Sequence, residues 1–258
     1  TDPIVWASNS AFTFNNAPDF AGKITRLEGP DLENVGDVVI HLPRSIRDHM
    51  TNQPSIGQDG ALYFPQGSSS SYGWPDEIWG MRREHLLNAT ILRLDLSKVT
   101  PGHPIDALTL DAGGQYNPYA PDAPLTIYAT GLRNAYDLCW HSNGHLYVPT
   151  NGSSAGGNAP AGPASPPIKD VSTAEDDWLF KIRKGAYCGH PNPEQNHFVL
   201  NGGHPTAAYT FGETFQYPIG TLPDPAFVPA CFSFGKHASA DGVVEYLGNA
   251  FHGKLNHK

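Results

Sequence analysis

Residues 55–67 read SIGQDGALYFPQG, and residues 139–152 read CWHSNGHLYVPTNG. Both stretches place a polar pair and an Asp-Gly or Asn-Gly dipeptide before a Leu-Tyr pair and a proline. Asp-Gly and Asn-Gly favour the positive φ angles of a tight hairpin turn. The sequence therefore predicts two equivalent β-hairpins, each with an apolar second strand.

The spacing of the two copies indicates a repeat. Tyr63 and Tyr147 are 84 positions apart, which corresponds to two periods of 42. A period of about 40–45 residues is typical of one four-stranded blade of a β-propeller. The pattern favours a propeller, with a β-sandwich as the alternative.

Most of the remaining chain also has strand patterns. The predicted strands are short, rich in β-branched or aromatic residues and bounded by turn residues. They cover residues 3–8, 23–28, 37–42, 60–64, 89–96, 125–130, 144–150, 177–182 and 241–247. A short helix is predicted over 84–89, and the uncharged Gly/Pro/Ser-rich stretch 152–167 predicts a flexible surface loop. The fold class predicted is all-β.

Composition and charge limit the classes of partner. The chain of 258 residues has 25 acidic against 16 basic residues, a net charge of −9. This balance argues against nucleic acid or an anionic membrane as partner. No apolar run is long enough to predict a membrane span. The opening Thr1-Asp2-Pro3 is unlike a signal-peptide n-region, so we expect a mature product or a piece of a larger polypeptide.

The chain has three cysteines, at positions 139, 188 and 231, without CxxC spacing. That spacing argues against a structural zinc site. The count allows one disulfide with one free thiol, or three buried thiols. Asn88 and Asn151 each begin a glycosylation sequon.

Two polar clusters are candidates for chemistry. Asp48 and His49 directly precede a predicted strand. A neutral imidazole accepts protons near neutral pH, and Asp48 would orient it. The alternative is a histidine that caps a turn. The acidic trio 175–177 is either a solvated strand start or a Ca²⁺ site.

Several stretches together resemble the soluble glucose/sorbosone dehydrogenase family, in its sorbosone-dehydrogenase-like branch. They occur in family order and read LPRSIRDHMTNQPSIGQDGALYF, ATGLRNAYDLCWHSNGHLYVPTNG, DWLFKIRKGAYCGHPNP, HFVLNGGHPT and FGKHASADGVVEYLGNAFHGKL. Members of that family form six-bladed β-propellers, and some use pyrroloquinoline quinone (PQQ). The resemblance implies a single incomplete propeller over residues 1–258, with about four blades' worth of chain.

The resemblance also implies roles for individual residues. His49, beside Asp48, matches the general base that takes a proton from the C1 hydroxyl of a sugar while hydride passes to PQQ. The residues that match the cofactor and metal positions are Arg133, Asn134 and, more loosely, Lys236 for PQQ, and Gly152, Ser153 and Asp177 (or Asp176) for Ca²⁺. Lys236 and His237 lie near a stretch that borders the pocket in the family. PQQ is a tricarboxylate, which a guanidinium group recognises well.

The function predicted from the resemblance is oxidation of a sugar hydroxyl, on an aldose or pyranose, with PQQ and calcium. Electrons would pass to an external acceptor, and the protein would be secreted or periplasmic. The alternative is a non-catalytic secreted propeller that serves as a carbohydrate- or protein-binding scaffold. A third reading is a metal-dependent lactone hydrolase on the same fold.

Overall fold

In the computed structural model, which describes residues 2–207 and 212–258, twelve strands form three four-stranded sheets. The first sheet has the order β1-β2-β3-β7, with β1 (Ile4–Asn9), β2 (Gly22–Glu28), β3 (Asn34–Leu42) and β7 (Ile105–Asp106). The second has the order β4-β5-β6-β8, with β4 (Ser55–Ile56), β5 (Leu62–Gln66), β6 (Thr90–Leu94) and β8 (Leu125–Thr130). The third has the order β12-β11-β10-β9, with β9 (Cys139–Trp140), β10 (Leu146–Thr150), β11 (Asp176–Ile182) and β12 (Phe232–Lys236).

The two predicted hairpins are confirmed and are equivalent. In β4–β5, Ser55 pairs with Tyr63, and in β9–β10 Cys139 pairs with Tyr147 at the same offset. The turn glycines have the expected positive φ, 74° at Gly60 and 82° at position 144. The hairpins begin two successive sheets, so 84 residues is the length of one sheet with its long connections. The predicted 42-residue period is therefore wrong.

The second sheet packs between the other two. Along β5, Leu62 and Phe64 join a core cluster with Ile24 of the first sheet. Tyr63, on the opposite face, joins a cluster with Val148 of the third sheet. Because side chains alternate along a strand, β5 is buried on both faces. The predicted all-β class and four-stranded sheets are confirmed, while six blades and closure of a ring stay predictions.

Two predicted elements are absent from the described residues. Residues 241–247 are irregular, and Val244 is exposed. The last strand of the third sheet is instead β12, which pairs with β11. The helix predicted over 84–89 is a turn, because the side chains of Glu84 and Asn88 bond to neighbouring segments. The described helices are single 3₁₀ turns at Leu96–Lys98, Leu110–Ala112, Pro193–Gln195, Pro205–Ala207 and Phe251–Gly253.

The Gly/Pro/Ser-rich stretch 152–167 has no strand or helix but forms isolated backbone bridges. Ala159 pairs with Ile168, and both are buried in a third core cluster with Tyr72. Position 158 also bridges to Trp74. The stretch is thus anchored to the body of the protein, and its flexibility stays a prediction.

The cysteines and one sequon differ from expectation. All three thiols are free, and only Cys188 is buried, so neither predicted arrangement occurs. Asn88 is fully buried and its amide donates to Gly67 O. The buried side chain has no room for a glycan, so the glycosylation of Asn88 that the sequon predicts is wrong. No helix in the described part of the chain has the length and apolarity to cross a bilayer.

The two-sided burial of β5 predicts a large effect of truncation at its centre. We expect Phe64→Ala to lower the free energy of unfolding by about 3–5 kcal/mol, because Phe64 is fully buried between two sheets. Urea denaturation followed by circular dichroism measures the change. The control Phe12→Ala, at a 99% exposed side chain, is expected to change stability by less than about 0.5 kcal/mol. Equal effects of the two substitutions would contradict the packing.

Candidate active site

One cleft of about 200 Å³ gathers most of the predicted site residues. Its walls come from the loop before β4, the segment after β8, the loop after β10, the start of β11 and the segment after β12. The lining residues are Asp48, His49, Trp79, Arg133, Asn134, Tyr136, Asn151, Gly152, Ser154, Asp177, His237 and Ser239. Residues far apart in the chain therefore meet at one edge of the stacked sheets.

His49 is buried in the cleft wall, and its orientation is set by Ser68. Nδ1 lies 3.0 Å from Ser68 Oγ and 3.2 Å from the Ser68 carbonyl oxygen. Since Ser68 Oγ donates its own proton to Ser70 O, both Ser68 atoms accept from Nδ1–H. This bonding places the lone pair on Nε2, which has no hydrogen-bond partner among the described residues.

The charge state of His49 follows from its surroundings. Burial, and next the positive charge of Arg133, hold the pKa of His49 well below its usual value. The imidazole is therefore neutral at neutral pH, as a proton acceptor must be. Asp48 is exposed and makes no hydrogen bond to His49, so the predicted orienting carboxylate is replaced by Ser68.

Arg133 brings a positive charge to the same wall. Nη1 donates to Gly152 O at 2.9 Å, and Nε donates to Ser71 O at 3.3 Å. The guanidinium also lies over the Trp79 ring, 5.7 Å from its centroid. Burial lowers the pKa of Arg133, although Glu175 opposes this shift. No carboxylate forms an ion pair with Arg133 in the described ranges, so donors remain for an anion.

The other two positions predicted for the cofactor differ in their placement. Asn134 is buried, and its Oδ1 accepts from Asn52 at 3.1 Å, which fixes it in the cleft wall. Lys236 is an exposed residue at the end of β12, while its neighbour His237 lines the cleft. A cofactor-binding role for Lys236 stays a prediction.

The predicted calcium loop is joined to β11 by a dense set of bonds. Asp177 is buried; its Oδ1 accepts from Gly152 N at 2.9 Å and its Oδ2 from Ser239 N at 2.7 Å. Ser153 N donates to Glu175 Oε2, and Ser153 O accepts from Glu175 N. Asp176 is bonded to Ser233 Oγ instead, so Asp177 is the acidic residue that reaches the cleft.

Close packing of the loop against β11 explains why position 152 is a glycine. A Cβ at Gly152 would lie 2.2 Å from the carbonyl oxygen of Asp176. No real Cβ approaches backbone that closely, so the loop and β11 meet only where a side chain is absent. The residue type at this position is thus explained without a metal ion.

The residues of the cleft fit one of the two groups that the resemblance implies, PQQ, better than the other, Ca²⁺. A carboxylate of PQQ fits the guanidinium of Arg133, which lacks an acidic partner among the described residues. Calcium does not fit the arrangement present. The Gly152 carbonyl is bound to the Arg133 cation, and both oxygens of Asp177 accept backbone N–H groups.

Sequence reasoning missed the segment that supports both His49 and Arg133. We call residues 68–71 the serine turn; all four serines are buried. Glu84, also buried, accepts from Ser69 N and Ser70 N and from Ser70 Oγ at 2.6 Å. His190 Nε2 donates to Glu84 Oε1 at 3.2 Å. The signal in the sequence was a run of four serines directly after a strand.

The backbone of the Arg133–Asn134 pair links this turn to the loop after β10. Arg133 O accepts from Ser68 N at 2.8 Å, and Asn134 O accepts from Asn151 N at 2.9 Å. The three segments are consecutive layers of one hydrogen-bonded wall. The relative positions of His49 and Arg133 are therefore set mainly by the backbone.

Among solved structures, sugar dehydrogenases match this chain at 12–20% identity and with TM-scores below 0.5. The PQQ-bound form of aldose sugar dehydrogenase from Streptomyces coelicolor is 20% identical, with a TM-score of 0.41, over 73% of this chain and 43% of that one. A putative oxidoreductase (glucose dehydrogenase) from Thermus thermophilus is 17% identical, with a TM-score of 0.48, over 91% and 53%. The holo form of the pyranose dehydrogenase PQQ domain from Coprinopsis cinerea is 12% identical, with a TM-score of 0.41, over 72% and 38%.

This chain thus spans between 38% and 53% of the length of those three structures. No protein-family model and no curated protein matches the sequence.

The proximity of Arg133 to His49 predicts a measurable change of pKa. We expect Arg133→Gln to raise the pKa of His49, because removing a positive charge favours the protonated imidazole. The pKa stays below its usual value, since burial remains the larger cause. NMR titration of the imidazole measures this shift. Arg83→Gln, at an exposed arginine paired with Glu194, is expected to leave the titration of His49 unchanged. An unaltered His49 titration in Arg133→Gln would show that the two groups do not interact.

The hydrogen bonds between the serine turn and Glu84 predict that substitution of this buried acceptor lowers the stability of the protein. We expect Glu84→Gln to lower the free energy of unfolding by about 1–3 kcal/mol, because the NH2 group that replaces one carboxylate oxygen cannot accept from the serine N–H group it would face. Chemical denaturation gives the value. Glu77→Gln, at an exposed side chain, is expected to stay within about 0.5 kcal/mol of the parent. A neutral result at Glu84 would rule out a supporting role for its carboxylate.

Proposed function

We propose that this protein oxidises a hydroxyl group of an aldose or pyranose, with PQQ as the electron acceptor in the cleft and His49 as the general base. The observation that carries the proposal is the meeting of a neutral His49 with an unpaired Nε2 and the Arg133 guanidinium in one cleft. Both residues belong to the motifs that resemble the sugar dehydrogenase family, and they lie 84 positions apart.

His49 is suited to take the proton of the sugar hydroxyl. Nδ1–H is held by Ser68, so Nε2 is the basic nitrogen. The hydroxyl proton passes to Nε2 while the C–H hydrogen leaves with its electron pair, and the carbon–oxygen bond becomes a double bond. The Trp79 ring, tilted by 32° against the imidazole with the two centroids 4.1 Å apart, restricts rotation of the base. When bound, PQQ would supply the acceptor for the hydride.

Arg133 supports the proposal as a binding group for the cofactor. Its remaining donors match a planar carboxylate in two-point geometry. The adjacent Trp79 offers an aromatic face on the same wall. These two features favour a flat anionic ligand over a neutral one.

Loss of the base tests the proposal. We expect His49→Ala to lower kcat by about 10²- to 10⁴-fold, as is usual for removal of a general base. Sugar-dependent reduction of a dye by the PQQ-loaded protein measures the rate. His103→Ala, at an exposed histidine, is the matched control and is expected to keep the parent rate.

Two results would refute the assignment. Full activity in His49→Ala would remove the base from its role. Absence of both PQQ binding and dye reduction in the parent protein would favour the non-catalytic scaffold instead.

A further inference from the structure

We infer that Arg133 occupies the place of the expected divalent ion, so that the loop 151–153 takes no calcium and an anionic ligand binds to Arg133 directly. The statement about the ligand rests on the proposed function. The statement about calcium depends only on the residues of the loop and β11.

The oxygen atoms predicted as calcium ligands already have partners. The Gly152 carbonyl accepts from Arg133 Nη1 at 2.9 Å. The Ser153 carbonyl accepts from Glu175 N at 2.8 Å. Both oxygens of Asp177 accept backbone N–H groups, at 2.9 and 2.7 Å. A metal ion would have to displace or share every one of these bonds.

The local charge also opposes a divalent ion. Calcium takes six to eight oxygen ligands, several of them carboxylates. Here the guanidinium of Arg133 touches the first of the expected ligands, so an ion bound there would face a like charge in a mostly buried site. Asp176, the other acidic candidate, bonds to Ser233 and does not offset this repulsion.

Arg133 supplies the positive charge that the ion would otherwise provide. Gly152 O and Ser71 O accept from two nitrogens of the guanidinium, whose central carbon lies 5.7 Å from the centroid of the Trp79 ring. A cation fixed in this way is already oriented before a ligand arrives, which favours a carboxylate as the binding group.

The first experiment uses Ca²⁺ alone, by isothermal titration calorimetry and by luminescence of Tb³⁺ as its substitute. The parent protein is expected to show no saturable binding in this loop up to about 1 mM ion, the range of weak extracellular calcium sites. Saturable binding that Asp177→Asn abolishes would overturn the inference. Binding that survives in Asp177→Asn lies outside the loop and agrees with it.

The second experiment titrates PQQ into the parent protein in the presence of EDTA. Binding is expected to persist in the chelator and to weaken about 10- to 100-fold in Arg133→Gln, since hydrogen bonds to a charged group are lost. Arg83→Gln is the matched control and is expected to bind like the parent. Binding that EDTA abolishes and Ca²⁺ restores would overturn the inference. If PQQ binds under no condition, the proposed function fails, while the titration with Ca²⁺ alone still decides the state of the loop.

Discussion

The strand β5 is the element on which the rest of the structure depends, because both of its faces are buried. Leu62 and Phe64 pack toward the first sheet, while Tyr63 packs toward the third. One five-residue strand thus joins two core clusters, and a shift in its register by a single position would exchange their contents. The order in which the three sheets stack follows from this constraint.

The same strand also positions the cleft. At its end, Pro65 O accepts from Asn52 N, and Gln66 bonds both to Thr51 and to the carbonyl of Pro43. These bonds hold the loop that carries His49 against the sheet. The serine turn begins directly after β5 and meets the other side of the imidazole. The His49 imidazole is therefore held from two directions by segments that flank one strand.

Electrostatically, the cleft combines a fixed cation with a base that stays neutral. Burial, and next the charge of Arg133, lower the pKa of His49, and Arg133 forms no ion pair with a carboxylate among the described residues. Glu84, behind the serine turn, has its oxygens bonded to backbone N–H groups and to His190, so it supports the wall without neutralising Arg133 directly. Buried groups of this kind remain in place because nearly all their hydrogen bonds are satisfied.

By itself the sequence determined the hairpins, most of the strands and part of the cleft lining, whereas Trp79, Tyr136, Ser154 and Ser239 were not predicted. Local signals suffice for those features: Asp-Gly and Asn-Gly turns specify the registers of β4–β5 and β9–β10, and short motifs marked His49, Arg133 and Asp177. The tertiary structure alone decided which atoms face each other. Ser68, not the adjacent Asp48, orients His49, and Arg133 bonds to Gly152 within the cleft wall. The structure likewise has β12 in place of the strand predicted over 241–247. The strand that pairs with β11 lies more than fifty residues away from it in the sequence, so local patterns do not identify it. Such contacts depend on how sheets stack, and stacking is a property of the whole core that no short stretch of sequence contains.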